Sequence, residues 1–107
     1  MSRTSVTIDM KNKDTDKALY IINQLMQQNG YSAKIVKGED VWAKGDGVLQ
    51  VMQCFAAVFS DNALILQAWI KDAIAGEADI NPSFIAGLPK KKMRKILEEI
   101  QNKLYQI

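Results

Sequence analysis

The sequence predicts one α+β domain over residues 1–107, with a mainly antiparallel sheet and two helices packed on one face, in the order β-α-β-β-β-β-α. Three observations support this class. Several short segments alternate apolar and polar side chains, two longer segments repeat apolar side chains at helical spacing, and one long apolar stretch is broken by a single turn signal. The length suits one hydrophobic core, and no repeat or linker indicates a second domain.

A strand and a helix are predicted at the start of the chain. Residues 4–11 alternate between apolar and polar side chains, as a half-buried strand does. Residues 15–29 repeat apolar side chains at helical spacing. Either Asp14 or Thr15 can cap this helix, because each offers a side-chain oxygen to the free N–H groups of the first turn. Gly30 suits the left-handed backbone at the helix end.

Two short strands are predicted next. Residues 31–35 alternate again, residues 38–40 form a turn, and residues 41–44 form a second short strand. Residues 45–47 read Gly-Asp-Gly, which is a strong turn signal. The motif lacks the third glycine and the following helix of a nucleotide-binding loop, so it predicts only a turn.

The long apolar stretch, residues 48–74, must supply the centre of the core. Periodicity alone does not decide between a hairpin and two helices here, because its apolar residues also fit helical stripes. Enrichment in Val, Phe and Ile, together with the turn residues Ser60-Asp61-Asn62, favours a hairpin. Both faces of such a hairpin are apolar, so helices on one face leave the other uncovered. We expect an interface on that face, formed by Phe55, Ala57, Phe59, Ile65 and Trp69.

A loop and an amphipathic helix are predicted at the end of the chain. Residues 76–82 suggest a loop, since Asn81-Pro82 disfavours helix before the proline. Residues 90–105 repeat apolar side chains at helical spacing, and Pro89 suits the first helical turn.

A basic cluster lies at the start of this helix, where positive charge opposes the helix dipole. It consists of Lys90, Lys91, Lys92, Arg94 and Lys95. Free N–H groups surrounded by lysines can bind phosphate, an anionic membrane surface or a nucleic-acid backbone. A solvated basic turn or contact with a partner's acidic surface also fits the pattern. Lysines act as point charges, so sequence-specific nucleic-acid recognition is not expected.

Several chemistries are excluded by composition. The chain has no histidine and one cysteine, so Ser-His-Asp and Cys-His catalysis, histidine-ligated zinc and a zinc ribbon are all unavailable. We expect Cys54 to be a buried, inert thiol, and Trp42 and Trp69 to pack rather than bind. Glu77 and Asp79 form a pair with no further ligand residues. No enzyme activity, cofactor or metal site is predicted.

No membrane span or secretion signal is predicted, because polar residues interrupt the longest apolar stretch and the first ten residues lack an apolar segment. A cytoplasmic location is therefore expected. The leading hypothesis is a non-enzymatic interaction module that self-associates, as a homodimer or larger oligomer, or binds a protein partner through the uncovered sheet face. The alternative is a binder of anions, phosphate or anionic membranes through the basic cluster.

Three short motifs resemble a set of small uncharacterised bacterial domains. They are Val41-Trp42-x-Lys44-Gly45-x-Gly47, then Gln67-Ala68-Trp69-Ile70, then Gly87-x-Pro89-Lys90-Lys91-Lys92. The resemblance covers residues 4–104 and implies strands for the central hairpin. Some such domains occur beside a zinc ribbon or a membrane segment, neither of which this sequence predicts. The resemblance supplies no activity or catalytic residue.

Overall fold

The computed structural model describes residues 2–47, 50–72, 76–83 and 86–107. Two helices and six strands follow one another in a single α+β domain, which confirms the predicted class. The elements are β1 (Thr4–Asp9), α1 (Thr15–Gln28), β2 (Ser32–Val36), β3 (Glu39–Lys44), β4 (Met52–Ser60), β5 (Ala63–Asp72), β6 (Gly76–Ala78) and α2 (Gly87–Tyr105).

The sheet is antiparallel throughout its described strands, in the order β1-β5-β4-β3-β2. The hairpin of β4 and β5 is its centre, so the strand interpretation of the long apolar stretch is confirmed from residue 52 to residue 72. Residues 48–49 and 73–74 of that stretch lie outside the described residues. Strand β2 ends the order and leaves one edge without a neighbouring strand among the described residues.

Strand β6 corrects the prediction of a loop over residues 76–82. Residues 76–78 pair with Ile70–Asp72 of β5, beyond the part of β5 that pairs with β1. The alternation in three residues is too short to predict a strand, and the pairing depends on a neighbour that only the folded chain supplies. The sheet therefore has one more strand than the periodicity predicts.

The helix boundaries follow from local chemistry. Asp14 caps α1 by accepting hydrogen bonds from the backbone N–H groups of Asp16 and Lys17. Gly30 follows α1 with a φ of 84°, as predicted for a helix end. Helix α2 begins at Gly87, three residues before the predicted start, and Pro89 lies in its first turn, where an N–H group has no helical partner to lose. Neither of these helices is long and apolar enough to cross a membrane.

The core consists of two clusters of buried side chains. The larger cluster joins residues of both helices with Phe55, Leu64 and Leu66, which share one face of the sheet. The smaller cluster contains residues of β3, β4 and β5 and no residue of either helix. It is formed by Val41, Ala43, Cys54, Ala56 and Trp69. The two clusters lie on opposite faces, since Phe55 and Cys54 are consecutive residues of one strand.

Candidate binding groove

An apolar groove of about 730 Å³ lies between α1 and the β2 side of the sheet. This volume is in the range of pockets that enclose a small molecule or a few side chains of a partner. Helix α1 contributes one wall, and the strands β2, β3 and β4 contribute the other. Its lining includes Leu19, Asn23, Ile35, Trp42, Ala57 and Phe59, together with the charged residues Lys34 and Asp40.

Three large apolar side chains are exposed in this groove. Leu19 is 37% exposed, Phe59 is 38% exposed and Ile35 is 74% exposed. Ile35 lies on the edge strand, one residue away from the turn that joins β2 to β3. Exposed apolar side chains that converge on one concave surface are typical of a binding site, whereas isolated ones are ordinary.

Trp42 gives the groove a fixed wall. Its indole Nε1–H donates a hydrogen bond of 2.8 Å to the side-chain oxygen of Asn23 on α1. Because this bond satisfies the ring's one polar atom and joins the helix to β3, the indole is held in place with its apolar surface available. The predicted packing role of Trp42 and a place in the groove are therefore compatible.

The free edge of β2 borders the groove. Lys37 and Gly38 form the turn to β3 with φ values of 51° and 79°, the pattern of a type I′ hairpin turn. Val36 and Glu39 close this turn as a hydrogen-bonded pair, and such pairs alternate along an antiparallel ladder. The backbone groups of Ala33 and Ile35 therefore point away from β3, toward the open edge.

The five residues predicted to form an interface do not lie on one face. The β4–β5 register puts Phe55, Ala57 and Phe59 on the face toward the helices, and Ile65 and Trp69 on the opposite face. Phe55 is 0% exposed and Trp69 is 2% exposed, so neither is available for binding. The prediction of one shared surface for the five residues is therefore wrong, because strand periodicity does not reveal the register between strands. Of the five residues, Ala57 and Phe59 line the groove.

On the Trp69 face, Arg3 covers the apolar surface. Its guanidinium lies 3.5 Å from the centroid of the Trp69 ring. The same guanidinium donates to both carboxylate oxygens of Glu77 and of Glu39, at 2.8 to 2.9 Å. These hydrogen bonds hold the pKa of the Glu77 carboxyl below its usual range and raise the pKa of Arg3. No periodicity or motif predicts this role for Arg3, which precedes the first strand.

The side chains of Cys54, Glu77 and Asp79 are each held in a structural environment. Burial raises the pKa of the Cys54 thiol to about 11, so the thiol stays protonated at neutral pH. Glu77 is bonded to Arg3, and Asp79 accepts a hydrogen bond from Ser2. Among the described residues, no group of three or more acidic or cysteine side chains is arranged to hold a metal ion.

The predicted basic cluster divides into two groups. Lys90 is buried and donates to the Ser83 hydroxyl at 2.9 Å, and Arg94 donates to the Ile80 carbonyl at 2.6 Å. These two hydrogen bonds join α2 to Ile80 and Ser83, which precede it in the chain. The exposed members are Lys91, Lys92 and Lys95.

Lys92 also lines a smaller pocket of about 230 Å³, beside Lys44 and Tyr31. The Tyr31 hydroxyl donates to the side-chain oxygen of Gln53 at 2.7 Å, and Lys44 donates to the backbone carbonyl of Asn29 at 3.0 Å. Two cationic side chains at one pocket favour an anion there.

The fold and the groove define a small α+β domain with an apolar groove beside β2, an edge strand that has no further neighbour in the described part of the chain. The sequence matches no protein-family model, and comparison with curated proteins and with solved structures gives no significant match. This result is consistent with the resemblance to domains of uncharacterised function.

Proposed function

We propose that the chain is a non-enzymatic, cytoplasmic interaction module that binds an apolar segment of a partner protein in the groove between α1 and β2. The observation that supports this is the convergence of the exposed Leu19, Ile35 and Phe59 on one concave surface. Removing these side chains from water is favourable, and the indole of Trp42 supplies a rigid surface against which a ligand can pack.

A neutral apolar dye tests whether the groove binds. We expect Nile red to bind the wild-type protein with enhanced fluorescence, and Ile35→Thr to weaken this binding by about fivefold, corresponding to roughly 1 kcal/mol of lost apolar contact. Ile35 is largely exposed, so its replacement leaves the fold intact. Titration of both proteins at equal concentration measures the difference.

Val58→Thr is the matched control for this titration. Val58 is a β-branched, exposed strand residue on the opposite sheet face, outside the groove. The Val58→Thr variant should bind Nile red with an unchanged dissociation constant. Equal losses for Ile35→Thr and Val58→Thr would assign the dye to nonspecific surface binding and contradict the proposal.

The oligomeric state of the protein tests whether the partner in the groove is a second copy of the chain. Sedimentation velocity over a range of protein concentrations detects a homodimer directly. If the groove forms the dimer interface, Ile35→Thr shifts the equilibrium toward monomer, and Val58→Thr does not.

A second candidate function, anion binding, is supported by the pocket that Lys92 shares with Lys44. Inorganic pyrophosphate is a suitable probe, monitored through backbone amide shifts. We expect shifts at residues 88–92, and a loss of affinity of about fivefold in Lys92→Gln, since one charge-assisted contact is removed. Lys103→Gln, on the last turn of α2, is the control and should bind normally. Equal weakening in both variants would indicate only the general charge of the protein.

A further inference from the structure

We infer that the partner binds as an added β-strand: an extended segment, alternating apolar and acidic side chains, pairs with the free edge of β2 and inserts its apolar side chains into the groove. This inference rests on the proposed function, because it identifies the chemistry of the segment that the groove accepts. Three features of the edge support it: backbone groups that point to the edge, apolar side chains that face the groove, and the exposed cation of Lys34 between them.

The backbone of β2 offers a short row of free hydrogen-bonding groups. The N–H and C=O groups of Ala33 and Ile35 point to the open edge, as the register with β3 requires. No described strand pairs with this edge. An extended chain placed here would form hydrogen bonds with both residues, the way that β-augmentation gives affinity.

The side chains of the same two residues face the groove. Ala33 and Ile35 both line it, on the side toward α1. In an antiparallel pair, residues directly opposite one another extend to the same face, about 5 Å apart. The residues of the added strand opposite Ala33 and Ile35 would therefore contact Leu19 and the outer groove wall, so they must be apolar.

The positive charge of the β2 edge favours acidic residues between the apolar residues of the added strand. Lys34 alternates with Ala33 and Ile35 along β2, so its side chain leaves the strand on the other face while the residue itself borders the groove, and Lys37 lies in the adjacent turn. Both are exposed, and Lys37 helps to lower the pKa of Glu77, whereas Lys34 has no ion pair with another described residue. Opposite charges facing each other across a strand pair stabilise it, so an acidic residue opposite Lys34 is favoured.

The same charge argues against a second copy as the added strand. A symmetric β2–β2 pairing centred on Lys34 would place two Lys34 side chains opposite each other, which is destabilising. Lysines on an exposed edge strand are a common means of preventing such self-pairing. A partner segment of opposite charge is the occupant that this edge fits.

The probe for this inference is a synthetic peptide, Thr-Val-Glu-Val-Glu-Val-Thr, acetylated and amidated at its ends. Backbone amide spectra and hydrogen exchange of the ¹⁵N-labelled protein are recorded with it. We expect shifts at Leu19 and Phe59, and hydrogen exchange at Ala33 and Ile35 slowed by about tenfold or more, since these amides gain hydrogen bonds. N-methylation of the valines, whose N–H groups would face β2, should weaken binding by about tenfold. N-methylation of the glutamates, which face outward, should leave it unchanged.

Charge reversal tests the chemistry of the partner. A peptide with lysine in place of glutamate should bind about fivefold more weakly to the wild-type protein, and Lys34→Glu should reverse this preference. If the wild-type protein and Lys34→Glu each bound the glutamate peptide and the lysine peptide with equal affinity, the acidic assignment would be overturned.

The remaining outcomes separate this inference from the proposed function. If the peptide shifted the amide signals of Leu19 and Phe59 but did not slow hydrogen exchange at Ala33 and Ile35, strand addition would be overturned. The groove would remain a binding site. Binding of Nile red without binding of the peptide would also overturn strand addition and leave the groove as a binding site. Failure of both probes would overturn the inference and the proposed function together. Protection of Ala33 and Ile35 that rises with protein concentration, without peptide, would assign the edge to a second copy.

Discussion

Replacement of Gly45 by alanine is expected to destabilise the protein by about 3 kcal/mol or more, because two penalties act at one residue. Gly45 has a φ of 92°, a left-handed conformation that residues with a Cβ rarely adopt. A Cβ at this position would also overlap the backbone carbonyl oxygen of Val51. Since backbone atoms cannot rotate away as a side chain does, the backbone at Gly45 or at Val51 must shift. Thermal unfolding should show a midpoint lowered by roughly 12 °C or more.

Gly38→Ala is the matched control for this prediction. Gly38 has a φ of 79° in the β2–β3 turn, and a Cβ there would meet no atom within 4 Å. Its cost is therefore the conformational penalty alone, about 1 kcal/mol. The difference between the two variants measures the clash with Val51. Equal midpoints for Gly38→Ala and Gly45→Ala would show that the close approach at Gly45 does not exist.

Arg3→Ala is expected to lower the free energy of unfolding by about 2 kcal/mol, since it removes charge-assisted hydrogen bonds to two carboxylates and uncovers Trp69. The side chain of Arg3 is only partly exposed, so solvent screens these bonds less than those of a fully exposed pair. Arg3→Lys should recover only a small part of the loss, because an ammonium group cannot bind two carboxylates in bidentate fashion. Urea unfolding at about pH 7 measures both variants.

The effect of Arg3→Ala should depend on pH in a defined direction. The pKa of Glu77 is lowered in the folded protein, mainly by its hydrogen bond with Arg3. Its contribution is therefore fully present above the pKa of an unfolded glutamate, about 4.3, and is lost as the pH falls through the lower folded value. The stability difference between the wild-type protein and Arg3→Ala should shrink below about pH 4.

Glu77→Gln separates the two carboxylates bound to Arg3. This variant keeps a side chain of similar shape but removes the titrating group, so the part of the acid sensitivity due to Glu77 should disappear. A double-mutant cycle of Arg3→Ala and Glu77→Gln measures their coupling. A wild-type protein with no more acid sensitivity than Glu77→Gln would contradict the structural role of the pair.

The class of the fold was predictable because its signals are local. Asp14 caps α1 with its own side chain, and Gly30 ends it by its own backbone freedom, so neighbouring residues carry the information. The central strands were favoured over helices by β-branched and aromatic residues around a polar turn. Periodicity does not predict β6, because its three residues form a strand only by pairing with Ile70–Asp72.

The candidate site was predictable only in part. The apolar pattern of the central hairpin predicts an interface that includes Ala57 and Phe59, and both line the groove. No sequence signal marks Leu19 and Ile35 as groove residues, because a helix stripe and an edge strand become one surface only after they pack together. Charge alone predicts Lys90 and Arg94 in an anion site, whereas the fold brings acceptors from Ser83 and Ile80 to them.

Periodicity, caps and turn residues thus specify the two helices, most of the strands and an α+β domain, since each of these signals acts within a few residues of the chain. The register between β4 and β5 specifies which residues share a face, and a shift of one residue would exchange the two faces. The groove and the Arg3 contact follow from that register and from the packing of α1. Both join residues far apart in the chain, so no local pattern contains them.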